Sequence, residues 1–380
     1  MDQIYYMDNN ATTRVDPAVL QAMLPYFTEK YSNPSSAYGF AQECRGAVEN
    51  ARKAIASTIN SDPDEIVFTS GGTESNNMAI KGIALSHRNK RSHIITSSIE
   101  HPAILNPCKY LELNGYDVTC LPVDKTGLVD PEDVKKTINK NTILISVMMV
   151  NNEIGTVQPV DEIGKIAKEA GVLFHTDAVQ AFGKISIDVK KSNVDMLSLS
   201  SHKFHGPKGV GILYIKKGIQ FLPIMQGGSH EKHRRAGTLN VPGIVGMGKA
   251  VKIASRDMVK NNEHIAGLMN ALKEGLLNVM QTIKINGHLE KRVKNTLNFS
   301  LKNMRSQDIL MMLDDKGFLV SSGSACSSGI SEPSYVLRSL GLSKEYLYGT
   351  IRISLGKYNT QEEVDSFLEV FPQVVLKLKK

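Results

Sequence analysis

Tryptophan is absent from this chain of 380 residues, and aromatic residues make up only 6% of it. Stacking platforms for nucleic-acid bases are therefore scarce. The charge pattern supplies no substitute. Lysine and arginine number 45 against 38 acids, a net +7, but they are scattered, with short clusters only at 88–91 and 376–380. A nucleic-acid partner usually needs its positive charge gathered on one face, so direct nucleic-acid binding is not expected. Apolar runs are short as well, and none nears the roughly 18 residues of a spanning helix. The opening Met1-Asp2-Gln3-Ile4-Tyr5-Tyr6 lacks the charged and apolar regions of a signal peptide. Cysteine is sparse: the four residues are widely spaced, with neither paired metal spacing nor a dense disulfide pattern, a usage that suits a reducing compartment. The expectation is a cytoplasmic protein that neither enters a membrane nor holds a resident metal.

Hydrophobic content of 41% over this length is enough for one large domain and a smaller one. Through the first two thirds, strand-like runs alternate with helical patterns. The runs are Ile66–Thr69, Ile94–Thr96, Val118–Pro122, Ile143–Met149, Val172–His175, Met196–Leu199 and Val210–Ile215; amphipathic stretches such as Pro102–Leu113 and Glu162–Ala170 lie between them. This alternation predicts an α/β fold with a mostly parallel central sheet, covered by helices on both faces. Past Gly243 the texture changes to a long helical pattern, 245–279, with a break near 260–262. Shorter strands at Thr296–Ser300, Phe318–Ser321 and Thr350–Ser354 follow, with helices at Ser306–Lys316 and Thr360–Leu378. The expected division is a large domain, 15–250, and a smaller α+β domain built from 1–14 plus 251–380.

Ligands of such sheets bind at the carboxyl ends of the strands, and three strand ends carry chemistry. Ile66–Thr69 runs into Ser70-Gly71-Gly72-Thr73, where free backbone N–H groups and a hydroxyl at a helix start can hold a phosphate. Val172–His175 ends in Thr176-Asp177, a carboxylate able to meet a protonated ring nitrogen. Met196–Leu199 ends in Ser200-Ser201-His202-Lys203-Phe204-His205-Gly206, a lysine between histidines, suited to Schiff-base formation with an aldehyde. Singly these are also an ordinary capped turn, an N-cap aspartate and a polar turn. Their joint occurrence in this order is the kit for pyridoxal 5'-phosphate.

One cysteine stands apart. Cys326 sits in Ser321-Ser322-Gly323-Ser324-Ala325-Cys326-Ser327-Ser328-Gly329, where the other eight residues are Ser, Gly or Ala. Such a stretch reads as a solvent-reachable loop, so its thiol is a candidate for reaction. Cys44, Cys108 and Cys120 fit burial as small apolar residues better.

Over its whole length the chain resembles the NifS/IscS-type cysteine desulfurases, a class-V aminotransferase branch of the fold-type I (aspartate aminotransferase-like) pyridoxal-phosphate enzymes. The likeness rests on Met7-Asp8-Asn9-Asn10-Ala11-Thr12-Thr13, Ser32-Asn33-Pro34, Gly72-Thr73-Glu74-Ser75-Asn76, Glu100-His101-Pro102 and Asn151-Asn152-Glu153. It continues through Asp177-Ala178-Val179-Gln180, Ser200–Gly209, Arg235-Ala236-Gly237-Thr238, the Cys326 loop and Arg352-Ile353-Ser354. The resemblance implies Lys203 as the lysine that holds the cofactor's aldehyde, Asp177 on the pyridine nitrogen, and His101 on the ring face as proton shuttle. It places Asn152 and Gln180 by the ring and Gly72, Thr73, Ser200 and His202 around the phosphate, with Thr238 joining from the second subunit of a homodimer. Arg352, helped by Asn33 and Asn152, would hold the substrate carboxylate. Cys326 would take sulfur from L-cysteine as a persulfide, leaving L-alanine, and pass it to an iron–sulfur scaffold protein or another acceptor. Contact of Cys326 with a transient iron–sulfur cluster is also implied, and His205 receives no role. The chain stops at Lys380 without the further segment of the longer relatives, which favours the shorter NifS-like members. Selenocysteine lyase and cysteine sulfinate desulfinase are the enzymatic alternatives. A degenerate assembly partner is the other, although Lys203, Asp177 and Cys326 are all retained.

Overall fold

The computed structural model describes residues 4–87, 92–280, 282–322 and 333–378. Its strands in chain order are β1 (Tyr5–Tyr6), β2 (Ile66–Thr69), β3 (His93–Ser97), β4 (Asp117–Leu121), β5 (Thr142–Ser146) and β6 (Leu173–Asp177). They continue with β7 (Met196–Ser200), β8 (Gly211–Ile215), β9 (Ile283–Asn286), β10 (Thr296–Leu301), β11 (Phe318–Leu319) and β12 (Thr350–Ser354). Seven form one sheet in the order β2-β8-β7-β6-β5-β3-β4. All neighbours are parallel except β8, which runs against both β2 and β7. The carboxyl ends of β2, β3, β5, β6 and β7 therefore share one edge. The strands read as continuous apolar runs because both faces are covered. Ile66, Phe68, Leu197, Leu199, Ile212 and Tyr214 pack into one core, while the alternate Val67, Met196, Leu213 and Ile215 pack into another on the opposite face.

Every strand expected in the sheet is present, shifted by three residues or fewer at its ends. The long helical pattern breaks at Asp257, between helices Val241–Arg256 and Met258–Val279, one turn before the expected position. Asp257 is a poor helix former and its carboxylate takes the Arg256 guanidinium at 2.7 Å. β1 and β9 were not expected: one is two residues long, the other a short strand at the sheet edge. Cys44 and Cys108 are buried, but Cys120 is exposed on β4, the sheet's edge strand, which corrects the expectation for that thiol. Among the described residues no helix is long and apolar enough to cross a membrane.

A second core gathers around the antiparallel sheet β12-β10-β9 and helices Met258–Val279, Ser306–Asp314 and Gln361–Leu378, with Phe299, Phe367 and Phe371 at its centre. The N-terminal strand belongs to this part: β1 pairs in parallel with β11, and Tyr5 stacks on Phe318 at 4.5 Å. Residues 8–13 then cross to the large sheet. Asn9 N donates to Ser354 O and Thr13 N to His202 O.

Close packing makes a test available. A Cβ on Gly164, in the helix Val160–Ala170, would lie 1.9 Å from Ser192 O, whereas one on Gly267 in Met258–Val279 meets nothing within 4 Å. Gly164→Ala is expected to destabilise by about 1–3 kcal/mol through overpacking. Gly267→Ala is expected to stabilise by about 0.5–1 kcal/mol, as alanine loses less backbone freedom on folding. Urea unfolding of the two variants measures both signs.

Candidate active site

The strand ends line a cavity of about 420 Å³. Gly72, Thr73, His101, Asn152, Asp177, Gln180, Ser200, His202, Lys203 and Arg352 all face it, joined by Asp8, Asn10, Asn76 and Ser321. Of the expected residues, Asn33 and Thr238 are exposed elsewhere on this chain and do not line it. Asn33 instead closes its own turn, its side-chain oxygen accepting from Ser35 N at 3.0 Å. Cys326 lies outside the described residues.

One wall is the first turn of helix Gly72–His87, whose leading N–H groups lack intrahelical acceptors. A side chain at 72 is excluded, since its Cβ would sit 2.8 Å from Val179 Cγ2. Beneath the turn, Gly211 lets β8 approach: a Cβ there would meet Leu199 O at 2.5 Å and Gly71 Cα at 2.7 Å. Ser200, at the end of β7, and His202 complete this corner. His202 is fixed by Thr12 Oγ1 at 3.0 Å, and burial together with the charge of Lys203 lowers its pKa to about 4.

Asp177 ends β6 and is held from two sides. Its Oδ2 accepts from Asn76 Nδ2 at 2.7 Å and its Oδ1 from Val179 N at 2.9 Å. Asn76 thus orients the carboxylate, a role that its presence in the helix-start motif did not reveal. Across the cavity Lys203 Nζ donates to Asn10 O at 2.6 Å and Ala11 O at 2.8 Å. Burial, then the Arg352 charge, lowers its pKa to about 8 against the opposite pull of Asp8 and Asp177. His101 caps helix Pro102–Glu112, its Nδ1 accepting from Ala103 N at 3.1 Å, so the ring proton is on Nε2. Burial lowers its pKa, with Asp177 raising and Lys203 lowering it further.

Arg352 on β12 is buried and reaches the cavity from the second core. It donates to Asp8 Oδ1 at 2.6 Å and to Asn152 O at 3.1 Å, and among the described residues its Nε has no acceptor. Asp8 as its orienting partner was not read from the sequence. The Asn152 turn is shaped by Asn151, whose side-chain oxygen accepts from Glu153 N and Ile154 N at 2.9 and 3.0 Å. Gln180 turns its amide to the protein: Nε2 donates to Asn10 O at 2.9 Å and Oε1 accepts from Lys184 Nζ at 2.7 Å.

Both described ends of the Cys326 segment are tied to this site. Ser321 exchanges backbone hydrogen bonds with Arg352, at 3.1 and 2.6 Å. Ser334 Oγ donates to Glu153 Oε2 at 2.5 Å, and Tyr335 donates to Glu100 O at 2.5 Å. Burial raises Glu153 to about 7 and Glu100 to about 8. His205 lies off the cavity, its ring edge-on to Tyr358 at 5.3 Å and its Nδ1 against Arg14 O.

The donor set fits pyridoxal 5'-phosphate. A helix start with a serine and a histidine suits a phosphate, an anchored carboxylate suits the pyridine nitrogen, and an amine of lowered pKa faces them across the cavity. A family model described as aminotransferase class-V matches residues 5–367. A Methanosarcina thermophila protein named cysteine desulfurase IscS is 51% identical over 374 residues, which cover 98% of this chain and 92% of that one. A Clostridium botulinum protein of the same name is 47% identical over 377 residues, covering 99% and 95%. Among solved structures, a NifS-like protein superposes with TM-score 0.94 at 42% identity, covering 99% of this chain and 100% of its own. A structure titled SspA in complex with cysteine gives TM-score 0.84 at 39% identity, covering 94% and 100%. The likeness that the motifs suggested thus extends to fold and length, and the chain belongs to the class-V aminotransferase family, on its NifS/IscS branch.

Proposed function

We propose that this protein is a pyridoxal-phosphate-dependent cysteine desulfurase, converting L-cysteine to L-alanine and moving the sulfur onto Cys326. The observation that carries this reading is the convergence of Lys203, Asp177, Arg352 and the first turn of helix Gly72–His87 on one cavity. When bound, pyridoxal 5'-phosphate supplies an aldehyde that captures amines and a ring that takes up the electron pair released at the substrate Cα. Gly72, Thr73, Ser200 and His202 hold its phosphate, and Asp177 keeps its nitrogen protonated.

Arg352 binds the substrate carboxylate, its fork oriented by Asp8 and the Asn152 carbonyl. Lys203, whose pKa near 8 leaves about a tenth of the molecules uncharged at pH 7, accepts the Cα proton as the free amine and returns it to the reacting carbon frame. His101, neutral and protonated on Nε2, moves a proton at the cavity wall. The Cys326 thiolate attacks the substrate sulfur. A sulfur–sulfur bond forms as the Cβ–sulfur bond breaks, and Cβ ends as the alanine methyl after taking up a proton. An iron–sulfur scaffold protein or another acceptor then removes the sulfur. The enzyme acts in the cytoplasm as a homodimer, each site borrowing Thr238 of the partner subunit for its phosphate. Residues 15–250 form the cofactor domain; 1–14 plus 251–380 form the domain that carries the sulfur acceptor.

Lys203→Ala is expected to abolish covalent cofactor capture and alanine formation. In the wild-type protein freed of cofactor, labelling of Lys203 by a trace amine reagent should rise about tenfold per pH unit below the pKa near 8 and level off above it, because the amine is cationic below and free above. Peptide mass spectrometry reads both, and capture at another lysine would overturn the assignment.

Cys326→Ser leaves the cofactor residues intact. It is expected to retain the bound cofactor's visible band and cysteine binding while losing persulfide and alanine. Near-normal sulfide release from cysteine would exclude Cys326 as acceptor. Turnover of selenocysteine alone would favour the lyase alternative.

For the dimer, sedimentation should find two chains. A co-expressed hybrid of Thr238→Ala and Lys203→Ala subunits should regain wild-type cofactor affinity at one site per dimer. An active monomer, or a hybrid that binds no tighter than the Thr238→Ala homodimer, contradicts a shared site.

A further inference from the structure

The corner of the cavity assigned to the cofactor phosphate also carries an acid. Glu74 sits beside Thr73 in the first turn of helix Gly72–His87. Its side chain folds back over the turn, where Oε2 accepts from Ser70 N at 2.6 Å. A carboxylate suits a helix start, whose free N–H groups carry partial positive charge. It is a poor neighbour for a phosphate on that same turn, because the two anions repel and draw on one set of N–H dipoles. Burial alone would raise the Glu74 pKa, yet the Arg235 guanidinium and the Ser70 N–H outweigh it and hold the carboxyl below its usual range. The acid is therefore charged at neutral pH.

Arg235 meets that charge. Its Nε donates to Glu74 Oε1 at 2.8 Å and its Nη2 to Oε2 at 3.3 Å, with side chains only 17% and 10% exposed. Among the described residues no other cation pairs with Glu74. The segment that brings Arg235 here is pinned independently of the helix. Glu231 takes Arg52 Nη1 and Nη2 at 3.0 and 2.7 Å and the Phe68 N–H of β2 at 2.8 Å. Glu231, Lys232 and His233 hold successive positive φ angles of 47°, 57° and 65°, a costly run for residues with side chains. Such a conformation persists only where its surroundings enforce it, and the buried Arg52–Glu231 pair does so. Gly237 then leaves room for the guanidinium: its φ is +106°, and a Cβ there would lie 3.2 Å from Arg235 Nη1. Strain is thus tolerated where the chain turns Arg235 onto the helix start.

We propose that Arg235 is a positioning residue for the cofactor phosphate: paired with Glu74, it cancels the negative charge at the start of helix Gly72–His87, so that this turn can accept a second anion. The inference rests on that turn holding the phosphate of pyridoxal 5'-phosphate, as in the function proposed above.

The test compares pyridoxal 5'-phosphate with pyridoxal, which lacks the phosphate, each titrated into the full-length protein freed of cofactor. Arg235→Gln is expected to weaken binding of the phosphate ester about tenfold and to leave pyridoxal unchanged. Glu74→Gln removes the charge while its amide oxygen can still accept from Ser70, so it should tighten binding of the ester several-fold. The double variant should return to within about twofold of wild type. If the pair only fastened the segment that carries Thr238, Glu74→Gln would weaken binding as Arg235→Gln does, and the double variant would stay weak. Either result, or pyridoxal weakened as much as its ester, overturns the proposal. Should Arg235→Gln fail to fold, the sign of the Glu74→Gln effect decides, and unchanged or weaker binding overturns it. Equal affinity of the wild-type protein for the two compounds would overturn the phosphate reading itself, a result separate from any response of the variants.

Discussion

Asn10 is the joint on which both halves of the molecule and the Lys203 amine depend. It is 2% exposed and its backbone and side chain bond in every direction. Its N–H meets Ser354 Oγ on β12, its Nδ2 meets Thr296 Oγ1 on β10 and Asn152 O, and its carbonyl receives Gln180 and Lys203. Neutral hydrogen bonds each contribute little net stability, but leaving a buried partner unsatisfied costs more. A network with every member satisfied therefore favours a single arrangement. The two sheets are held in register by the same residue that receives the lysine.

Around this joint the charges are arranged by sign. Lys203, Lys184 and Arg352 converge, yet among the described residues only Asp8 is ion-paired with one of them. Asp177 is satisfied by an amide and a backbone N–H rather than by a cation, so it remains available to a cationic ring nitrogen. Two further buried acids, Glu100 and Glu153, have pKa values raised by burial to about 8 and 7. They add less negative charge than two carboxylates would. An excess of unneutralised positive charge suits a pocket for a phosphate and an amino-acid carboxylate, and it lowers the cost of a free amine on Lys203.

Much of this was legible in the sequence, for physical reasons. A sheet buried on both faces writes itself as unbroken apolar runs, so β2 to β8 could be read directly. Residues at the ends of those strands could be read because the topology of parallel sheets concentrates function there. β1 and β9 escaped because two or four residues carry no periodicity; their pairing with distant strands makes them. Asn76, Asp8 and Asn10 escaped for a related reason. Each acts through a partner far away in the chain, such as Asp8 on Arg352, 344 residues apart, and no local spacing encodes such a contact. Cys120 misled because a cysteine in an apolar strand looks buried until the strand proves to be an edge.

The anchoring of Ser321 and Ser334 sets a geometric limit on the sulfur transfer proposed for Cys326. Ser321 lines the cavity, and Cys326 follows it by five residues. Five residues fully extended span at most about 18 Å. Chain length alone therefore keeps position 326 within that distance of the cavity wall. On the function proposed above, a protein that collects sulfur from Cys326 would have to present its own acceptor inside that sphere. Its docking face would then lie beside the mouth of the cavity, and a scaffold bound to the far side of the molecule could not be served.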